Sequence, residues 1–487
     1  MILKDIIRDV ATINESNDLL EIDGIASNSI KVKNNYVFVA IKGDKRDGNE
    51  YIGEAISKGA KVIVSEIKHN EIDGIVYIQV ENARKALAIM WSNYFNNPDK
   101  GMNIIAITGT NGKTSSAFFL YNIFRANGLK RGIISTICCL VNDDPIDVYD
   151  ASEKRDAFSS MTTPDPEKLY SILNIMKKNG VDYVVMEATS HALEQYRLAG
   201  LKVRIGAFTN LTQDHLDYHS TMERYSYAKE KLLRNSDILI LNIDDEYGRI
   251  FYEKYIDKSY SFSVKGKADF FVKDISINNN GISYTFCDGE VSLDISSKML
   301  GEFNIYNSML AICCARLLGI EERIIAEGIK NTSKISGRIE KYKNKSIYID
   351  YAHTPDAMKK IIAAIKEIEA SKRTIVLFGC GGERDKSKRA KMGEIATKMA
   401  DEVIITSDNS RGEDINIIIE DILIGAVKPC VVIKDRKEAI AYAVSHMKDN
   451  DVLLLLGKGH ESYEIGAQGK KYFSEIAVLD EAFKYLP

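Results

Sequence analysis

Seven residues in the first quarter of the chain, Thr108 to Thr114, read TGTNGKT. Glycines beside a lysine and a hydroxyl residue make a phosphate-binding loop. Gly109 and Gly112 let the backbone approach an anion closely. If a helix starts here, its N–H groups and the positive end of its dipole face that anion. Lys113 would reach the terminal phosphates of ATP, and the Thr114 hydroxyl would hold a magnesium ion. Thr110 and Asn111 complete the cradle. The longer form of this motif has a glycine where Ile107 stands, so this is its short variant. The flanks agree: Asn103 to Ile107 reads as a buried strand, and from Ser115 the apolar spacing becomes helical.

Other polar groups stand where polar groups are costly. Glu187 ends an apolar run, VDYVVME. A buried carboxylate needs a partner, and magnesium shared with Thr114 is the partner expected. The stretch TNLTQDHLDYHS holds Asp214, His215, Asp217 and His219. These four would make a zinc site, but no cysteine joins them. His215 reads instead as a second-metal or phosphate group, and His219 as a loop histidine that caps or packs. Lys229, in ERYSYAKEKLL, reads on its own as a solvated helix lysine. GCGGERDKSKR brings Arg384 and Arg389, whose forked guanidinium suits carboxylate or phosphate. SDNSRGED supplies Asn409 and Arg411, and LGKGHE ends in Glu461. A guanidinium for a carboxylate and a carboxylate for an ammonium together suit a small zwitterion.

The elements that must position these groups alternate strand and helix, which predicts an α/β protein with mainly parallel sheets. A chain of 487 residues has room for about three domains. The first unit, residues 1–97, carries strands at 36–41, 61–65 and 74–80 and helices near 50–58 and 83–95. It ends at the turn Asn96-Asn97-Pro98-Asp99. The second, 98–336, adds strands at 181–187, 204–210 and 237–242, hairpins between 259 and 296 around Asn279-Asn280-Gly281 and Asp288-Gly289, and a helix from Tyr306 to Leu318. The third, 337–487, repeats strand then helix, with strands at 346–350, 374–378, 402–406, 430–433 and 451–456. Ligands of open α/β sheets bind beyond the carboxyl ends of the strands. The polar loops above each come directly after a strand, so they are expected to line one cleft between the second and third units.

Bulk properties exclude several classes. A net charge of −4 speaks against a dedicated nucleic-acid binder. No run of about 18 apolar residues spans a membrane. The start, MILKDIIRDV, is charged throughout and reads as no signal peptide. Seven cysteines show no paired metal spacing. The adjacent pairs Cys138/Cys139 and Cys313/Cys314 read as core filler, and free thiols fit a reducing cytoplasm.

TGTNGKT, EATSHALEQYR, FTNLTQDHLDYH, YAKEKL, GRIE, DYAHTPDA, GCGGERDKSKR and LGKGHE stand in one order along the whole chain. That set resembles the Mur ligases, ATP-dependent amide-forming enzymes of peptidoglycan precursor synthesis. Within them it is most similar to the members that add a diamino acid to a UDP-muramoyl-dipeptide. The resemblance implies an N-terminal UDP-binding domain, a central P-loop ATPase-like domain and a C-terminal Rossmann-like domain. It places Ser29, Thr162, Thr163, Thr189, Gln195 and Arg197 at the UDP-substrate. It places Asn304, Arg338 and Asp350 with Gly109 to Thr114 at the nucleotide. Lys229 matches the family lysine that reacts with CO2 to form a carbamate, whose negative charge would help Thr114, Glu187 and His215 hold magnesium. The family's D-N-P-R motif reads Asp408-Asn409-Ser410-Arg411 here, and Arg384, Gly457 and Glu461 match further amino-acid-binding positions. Departures stand at Asn28, Ile30, Ala188, Thr189, Glu383 and Ser410.

The implied reaction moves the γ-phosphate of ATP to the D-glutamate carboxylate of the UDP-linked dipeptide. The amine of meso-diaminopimelate then displaces phosphate. Lys113, Glu187, His215 and Lys229 are the expected catalytic groups, in a cytoplasmic monomer. Arg411 favours diaminopimelate, because lysine has no distal carboxylate for it to grip. L-Lysine or another diamino acid, and a divergent paralogue with another acceptor, are the alternatives. A folylpolyglutamate-type ligase is set against the N-terminal unit, and a non-catalytic ATP-binding subunit against the retained Lys113, Glu187, His215 and Lys229.

Overall fold

The structure is a computed structural model that describes residues 1–13, 19–43, 46–70, 72–146, 161–370 and 372–484. The chain forms two compact units. The first comprises Met1–Ala106, Lys130–Gly206 and Lys231–Asp237; the second comprises Ile107–Leu129, Ala207–Glu230 and Ile238–Pro487.

In the first unit, strands Gly24–Ala26, Tyr36–Val39, Ala60–Ser65 and Val76–Gln79 pair in that order, all parallel. Both faces are apolar, as parallel sheets require. Val37, Val39, Val62, Val64 and Ile78 point into one core. Phe38, Ile63 and Ala26 point into another, against helix Ile52–Ser57. Helix Ala83–Tyr94 comes next, with Asn82 capping it through a bond from the Lys85 N–H. Asn96 and Asn97 then take positive φ, the turn expected at the end of this module.

The large sheet has eleven strands. Their order is Ser292–Ser297, Gly281–Cys287, Phe270–Asn278, Ser259–Ser263, Ser236–Asn242, Val203–Phe208, Asn103–Thr108, Tyr183–Glu187, Arg131–Ile134, Cys139–Val141 and Asp144–Pro145. Asn279-Asn280 and Asp288 to Val291 turn antiparallel hairpins, as their sequence indicated. Ser259–Ser263 and Phe270–Asn278 pair parallel. The segment between them bonds to carboxylates instead of closing a tight turn: Asp244 accepts from the Val264 and Lys265 N–H groups, and Asp269 from the Ser261 N–H.

The third sheet lies wholly in the second unit. Its order is Glu340–Lys341, Ile347–Asp350, Asp451–Leu456, Arg373–Phe378, Glu402–Ile405, Val431–Val432, with only the first strand antiparallel. Alternate residues feed two cores. Val376, Phe378, Leu454 and Leu456 meet helices Pro355–Ile368, Ser387–Met399 and Ile415–Leu423. Ile375, Leu377, Leu453 and Leu455 meet helices Arg436–His446 and Glu475–Lys484. That is a doubly wound, Rossmann-like layer. Its register sets Asp350, Leu456, Phe378 and Ile405 side by side at the ends of four parallel strands. The loops after them therefore emerge along one edge.

Candidate active site

The phosphate loop joins strand Asn103–Thr108 to helix Lys113–Ala126, which starts two residues earlier than the sequence indicated. Gly109 and Gly112 hold φ of +143° and +89°. A methyl group at Gly109 would strike the Thr209 hydroxyl, and one at Gly112 the Asn307 amide oxygen. Only glycine fits either place. The loop is braced by the segment after the neighbouring strand. Asn210 O accepts from the Thr110 N–H at 2.8 Å and Asn210 Oδ1 from the Asn111 N–H at 3.0 Å. Thr209, Asn210 and Asn307 are thus part of the cradle; the first two open the TNLTQDH motif, and no motif in the sequence marks Asn307. Asn304, fully buried, donates to Leu300 O and accepts from Asn307 Nδ2 at 2.9 Å, so it aims Asn307 at Gly112.

Two lysines converge on one carbonyl. Lys113 Nζ donates to Gly109 O at 3.1 Å and to Thr110 O at 2.9 Å. Lys229 Nζ donates to the same Gly109 O at 2.7 Å. Lys229 is not the solvated lysine its sequence context indicated: it is 1% exposed, on the face of helix Met222–Arg234 that also buries Tyr225 and Ala228. Its Nζ lies 4.5 Å from the Tyr225 ring centre. Burial first, then the Lys113 charge, hold its pKa well below the usual lysine range, against the pull of Asp214. A neutral buried amine is a nucleophile.

Asp214 is the counter-charge. It is buried, with His215 Nε2 at 3.3 Å, His353 Nε2 at 3.7 Å and Lys388 Nζ at 3.5 Å. Burial raises its pKa, but His215, Lys388 and His353 hold it well below the carboxylate range. His215 sits at φ +54°, a conformation that a non-glycine residue adopts at some cost. His219 packs between rings, stacked on Tyr225 with centroids 5.0 Å apart. Among the described residues no three His, Cys, Asp or Glu side chains are arranged to hold a metal. The Thr114 hydroxyl and the His215 imidazole are donors of a kind that fits magnesium. That ion takes few protein ligands and completes its shell with substrate phosphates and water.

The sheet-edge loops of the second unit reach this cradle directly. Arg338 Nη2 donates to Thr114 Oγ1 at 3.0 Å, and its guanidinium lies 5.0 Å over the Tyr351 ring. Asn111 Nδ2 donates to Asp356 at 3.1 Å, and Gln213 to Ser387 at 3.0 Å. The Arg338 turn is held by Asp350. One oxygen accepts from the Ile339 N–H at 2.7 Å and the other from the Ala352 N–H at 2.7 Å. Ile339 has φ +44°, rare for a β-branched residue. Asp350 therefore secures a strained turn that aims Arg338, and both its oxygens are already engaged.

The amino-acid candidates share that edge. Tyr351 Oη makes a long contact of 3.5 Å with Glu461 Oε1. Asn409 Nδ2 donates to Glu461 Oε2 at 2.8 Å. Arg411 Nη1 donates to Gly382 O at 2.9 Å and Asn409 O at 3.1 Å. Arg384, exposed, lies close enough to lower the Arg411 pKa after burial has done so. A methyl at Gly457 would press on Asp408. Ser410 opens the turn in which Arg411 takes φ +54°. Arg389 corrects the reading of its loop. It is 0% exposed and clamped by Glu413 and Asp421 at 2.8 Å each, so it is a strut and recognises no ligand.

The first unit carries its own cluster. Glu187 is 0% exposed, and its partner in the structure is Thr136, whose N–H donates at 2.8 Å and whose hydroxyl donates at 3.1 Å. Thr136, missed in the sequence, stands just past the short strand Arg131–Ile134. Thr136 Oγ1 also reaches Thr162 Oγ1 at 3.0 Å. Thr163 Oγ1 donates to Glu187 O at 2.9 Å and accepts from the Thr189 N–H at 3.0 Å. Arg197 donates to Thr163 O at 2.8 Å and to Gln195 Oε1 at 2.7 Å. Five of the six expected UDP-substrate residues are thus gathered. Ser29 donates to Glu54 at 2.8 Å on a turn capped by Asn28, with Ile30 75% exposed. Cys313 and Cys314 are buried filler as expected, whereas Cys138 and Cys139 are only half-buried.

The Mur ligase middle domain matches residues 107–315, the Mur ligase glutamate ligase domain 337–459, and the Mur ligase family catalytic domain 21–95. A UDP-N-acetylmuramoyl-L-alanyl-D-glutamate–2,6-diaminopimelate ligase of Caldanaerobacter subterraneus subsp. tengcongensis is 39% identical over 488 residues, covering 99% of this chain and 98% of its own. The ligase of the same name from Clostridioides difficile is 39% identical over 492 residues, covering 99% of each. A solved structure of a ligase of that name superposes with a TM-score of 0.69 at 25% identity over 99% of both chains. The chain belongs to the Mur ligase family: it is a three-domain α/β ligase that forms amide bonds with ATP.

The Asp350 carboxylate yields a pH test. Burial raises its pKa from 3.8 to about 6, although Arg338 pulls it down. A raised native pKa contributes stability that is full below the unfolded value and is lost as pH climbs through the native one. The stability difference between wild type and Asp350→Asn, read from urea midpoints, is therefore expected to shrink between about pH 4 and about pH 7.

Proposed function

We propose that this chain adds meso-diaminopimelate to UDP-N-acetylmuramoyl-L-alanyl-D-glutamate, forming a peptidoglycan precursor through an acyl phosphate. The observation that carries the reading is the pairing of Arg411 and Glu461 on loops that share a sheet edge with Arg338. An acceptor with a carboxylate and an ammonium at its far end matches that pair, and lysine would offer Arg411 no distal carboxylate. The names of the full-length relatives support the same step.

In this reading residues 1–97 and the threonine cluster hold the UDP-substrate, 98–336 hold ATP, and 337–487 hold the amino acid. Backbone N–H groups of Gly109 to Thr114 and the Lys113 ammonium orient the triphosphate. Arg338 offsets charge on the transferring phosphoryl group. The D-glutamate carboxylate takes that group and ADP leaves. Glu461 fixes the distal ammonium of the acceptor, Arg411 and Arg384 its distal carboxylate, and the other amine displaces phosphate. Thr114, His215 and the Lys229 carbamate would hold magnesium, which would neutralise phosphate charge when bound. Lys229 acquires the carbamate by attack of its neutral amine on CO2, with loss of one proton. We place the enzyme in the cytoplasm as a monomer. Its seven cysteines are all free, and among the described residues no helix is long and apolar enough to cross a membrane.

Phosphate release from ATP and UDP-muramoyl-dipeptide is expected to require diaminopimelate among a panel of amino acids. Release driven equally by L-lysine would shift the acceptor. Arg411→Ala is expected to raise KM for diaminopimelate about 10- to 100-fold, the value of a charged hydrogen bond, and an unchanged KM would refute the role given to Arg411. Carbon-13-labelled bicarbonate is expected to give a carbamate carbonyl resonance in wild type that vanishes in Lys229→Met; the same resonance in both proteins would place the carbamate elsewhere.

A further inference from the structure

The loops that carry Asp408 to Arg411 and Gly457 to Glu461 are fastened together by two buried cations. Arg436, 1% exposed, donates to Ser407 O at 3.0 Å and Leu456 O at 2.8 Å, the carbonyls just before the two loops. Its charge is matched by buried Glu475 at 2.8 Å. One layer nearer the acceptor residues lies Lys458, 0% exposed. Its ammonium donates to Asn409 Oδ1 at 3.1 Å and Glu461 Oε2 at 3.3 Å, and stands 4.0 Å from Asp408 Oδ1. The Tyr463 and Phe473 rings lie under it at 5.9 and 5.8 Å.

A charge with no exposure must be compensated within the fold. Here one ammonium faces two carboxylates, Asp408 and Glu461, so one negative charge remains. Asn409 is fully engaged in the same arrangement: its Oδ1 also accepts from the Ile465 N–H at 2.9 Å, while its Nδ2 holds Glu461. Lys458 thus fixes the rotamers of two residues expected to meet the acceptor. Burial pushes the Asp408 pKa up, but Lys458 and Arg436 together bring it below the ordinary value, so Asp408 stays ionised.

We propose that Lys458 is a positioning residue that sets both the geometry and the net charge of the amino-acid site. It pins Glu461 and Asn409 and cancels one of the two carboxylates, leaving a single negative charge to meet the substrate ammonium beside the guanidinium of Arg411. The inference rests on the reading of these loops as the acceptor site. It goes further by making selectivity depend on a cation that never touches the substrate. A far end that carries both charges, as in diaminopimelate, is favoured while Lys458 is present. Without it the site gains a negative charge and turns toward a far end that is only cationic, as in lysine.

The test compares wild type, K458M, K458R and K458M/D408N by kcat and KM for diaminopimelate, L-lysine and ATP. K458M is expected to raise KM for diaminopimelate about 10- to 100-fold, to leave KM for ATP within about twofold of wild type, and to lower the preference for diaminopimelate over lysine. K458R keeps the charge and is expected to keep that preference. K458M/D408N removes the surplus carboxylate and is expected to recover part of it. An unchanged KM for diaminopimelate in K458M, equal losses for ATP and acceptor, or no recovery in the double variant would overturn the proposal. Should K458M not fold, K458M/D408N against K458R carries the same comparison. If wild type ignored diaminopimelate, the functional reading would fail instead, and the same comparison would be made with the acceptor it does use.

Discussion

A single guanidinium ties the phosphate loop to the loops that face the amino acid. Arg338 donates to Thr114 and lies over Tyr351, which reaches Glu461. The link is possible only because Asp350 holds Ile339 in a backbone conformation it would otherwise avoid. The same Asp350 ends a strand in register with Leu456 and, through it, Phe378 and Ile405. Register therefore decides chemistry: a slip of one residue in any of these strands would send its loop residues to the wrong face.

Charge is the second constraint. Around Gly109 O the structure gathers Lys113 and Lys229, and the balancing carboxylate, Asp214, is shared with two histidines and Lys388. The Lys113 charge is costly here in an empty protein and favourable once a triphosphate arrives. The acceptor loops repeat the arrangement with opposite sign, one buried ammonium between two carboxylates. A phosphoryl donor and an amine-bearing acceptor each find the complement they need.

Much of this was legible in the sequence, for identifiable reasons. Strands of the third sheet are continuous apolar runs, and hairpins announce themselves at Asn-Gly and Asp-Gly. TGTNGKT is a local motif whose glycines are demanded by local sterics. What escaped reading depends on distance along the chain. Thr136 meets Glu187 across 51 residues from a strand of only four. Arg389 reads as a ligand-recognising guanidinium because Glu413 and Asp421 come 24 and 32 residues later. Lys229 was misread because charge outweighed position: Tyr225 and Ala228 mark the buried stripe on which it lies. The positive φ of Ile339 and Arg411 leaves no trace in residue type.

The most direct measurement of the central claim traces an oxygen atom. UDP-muramoyl-dipeptide labelled with oxygen-18 in the D-glutamate carboxylate is incubated with ATP and diaminopimelate, and the released phosphate is analysed by mass. An acyl phosphate captured by the acceptor amine predicts one labelled oxygen in each phosphate, with release dependent on diaminopimelate. Unlabelled phosphate would contradict the account, because the carboxylate would then never have carried the phosphoryl group.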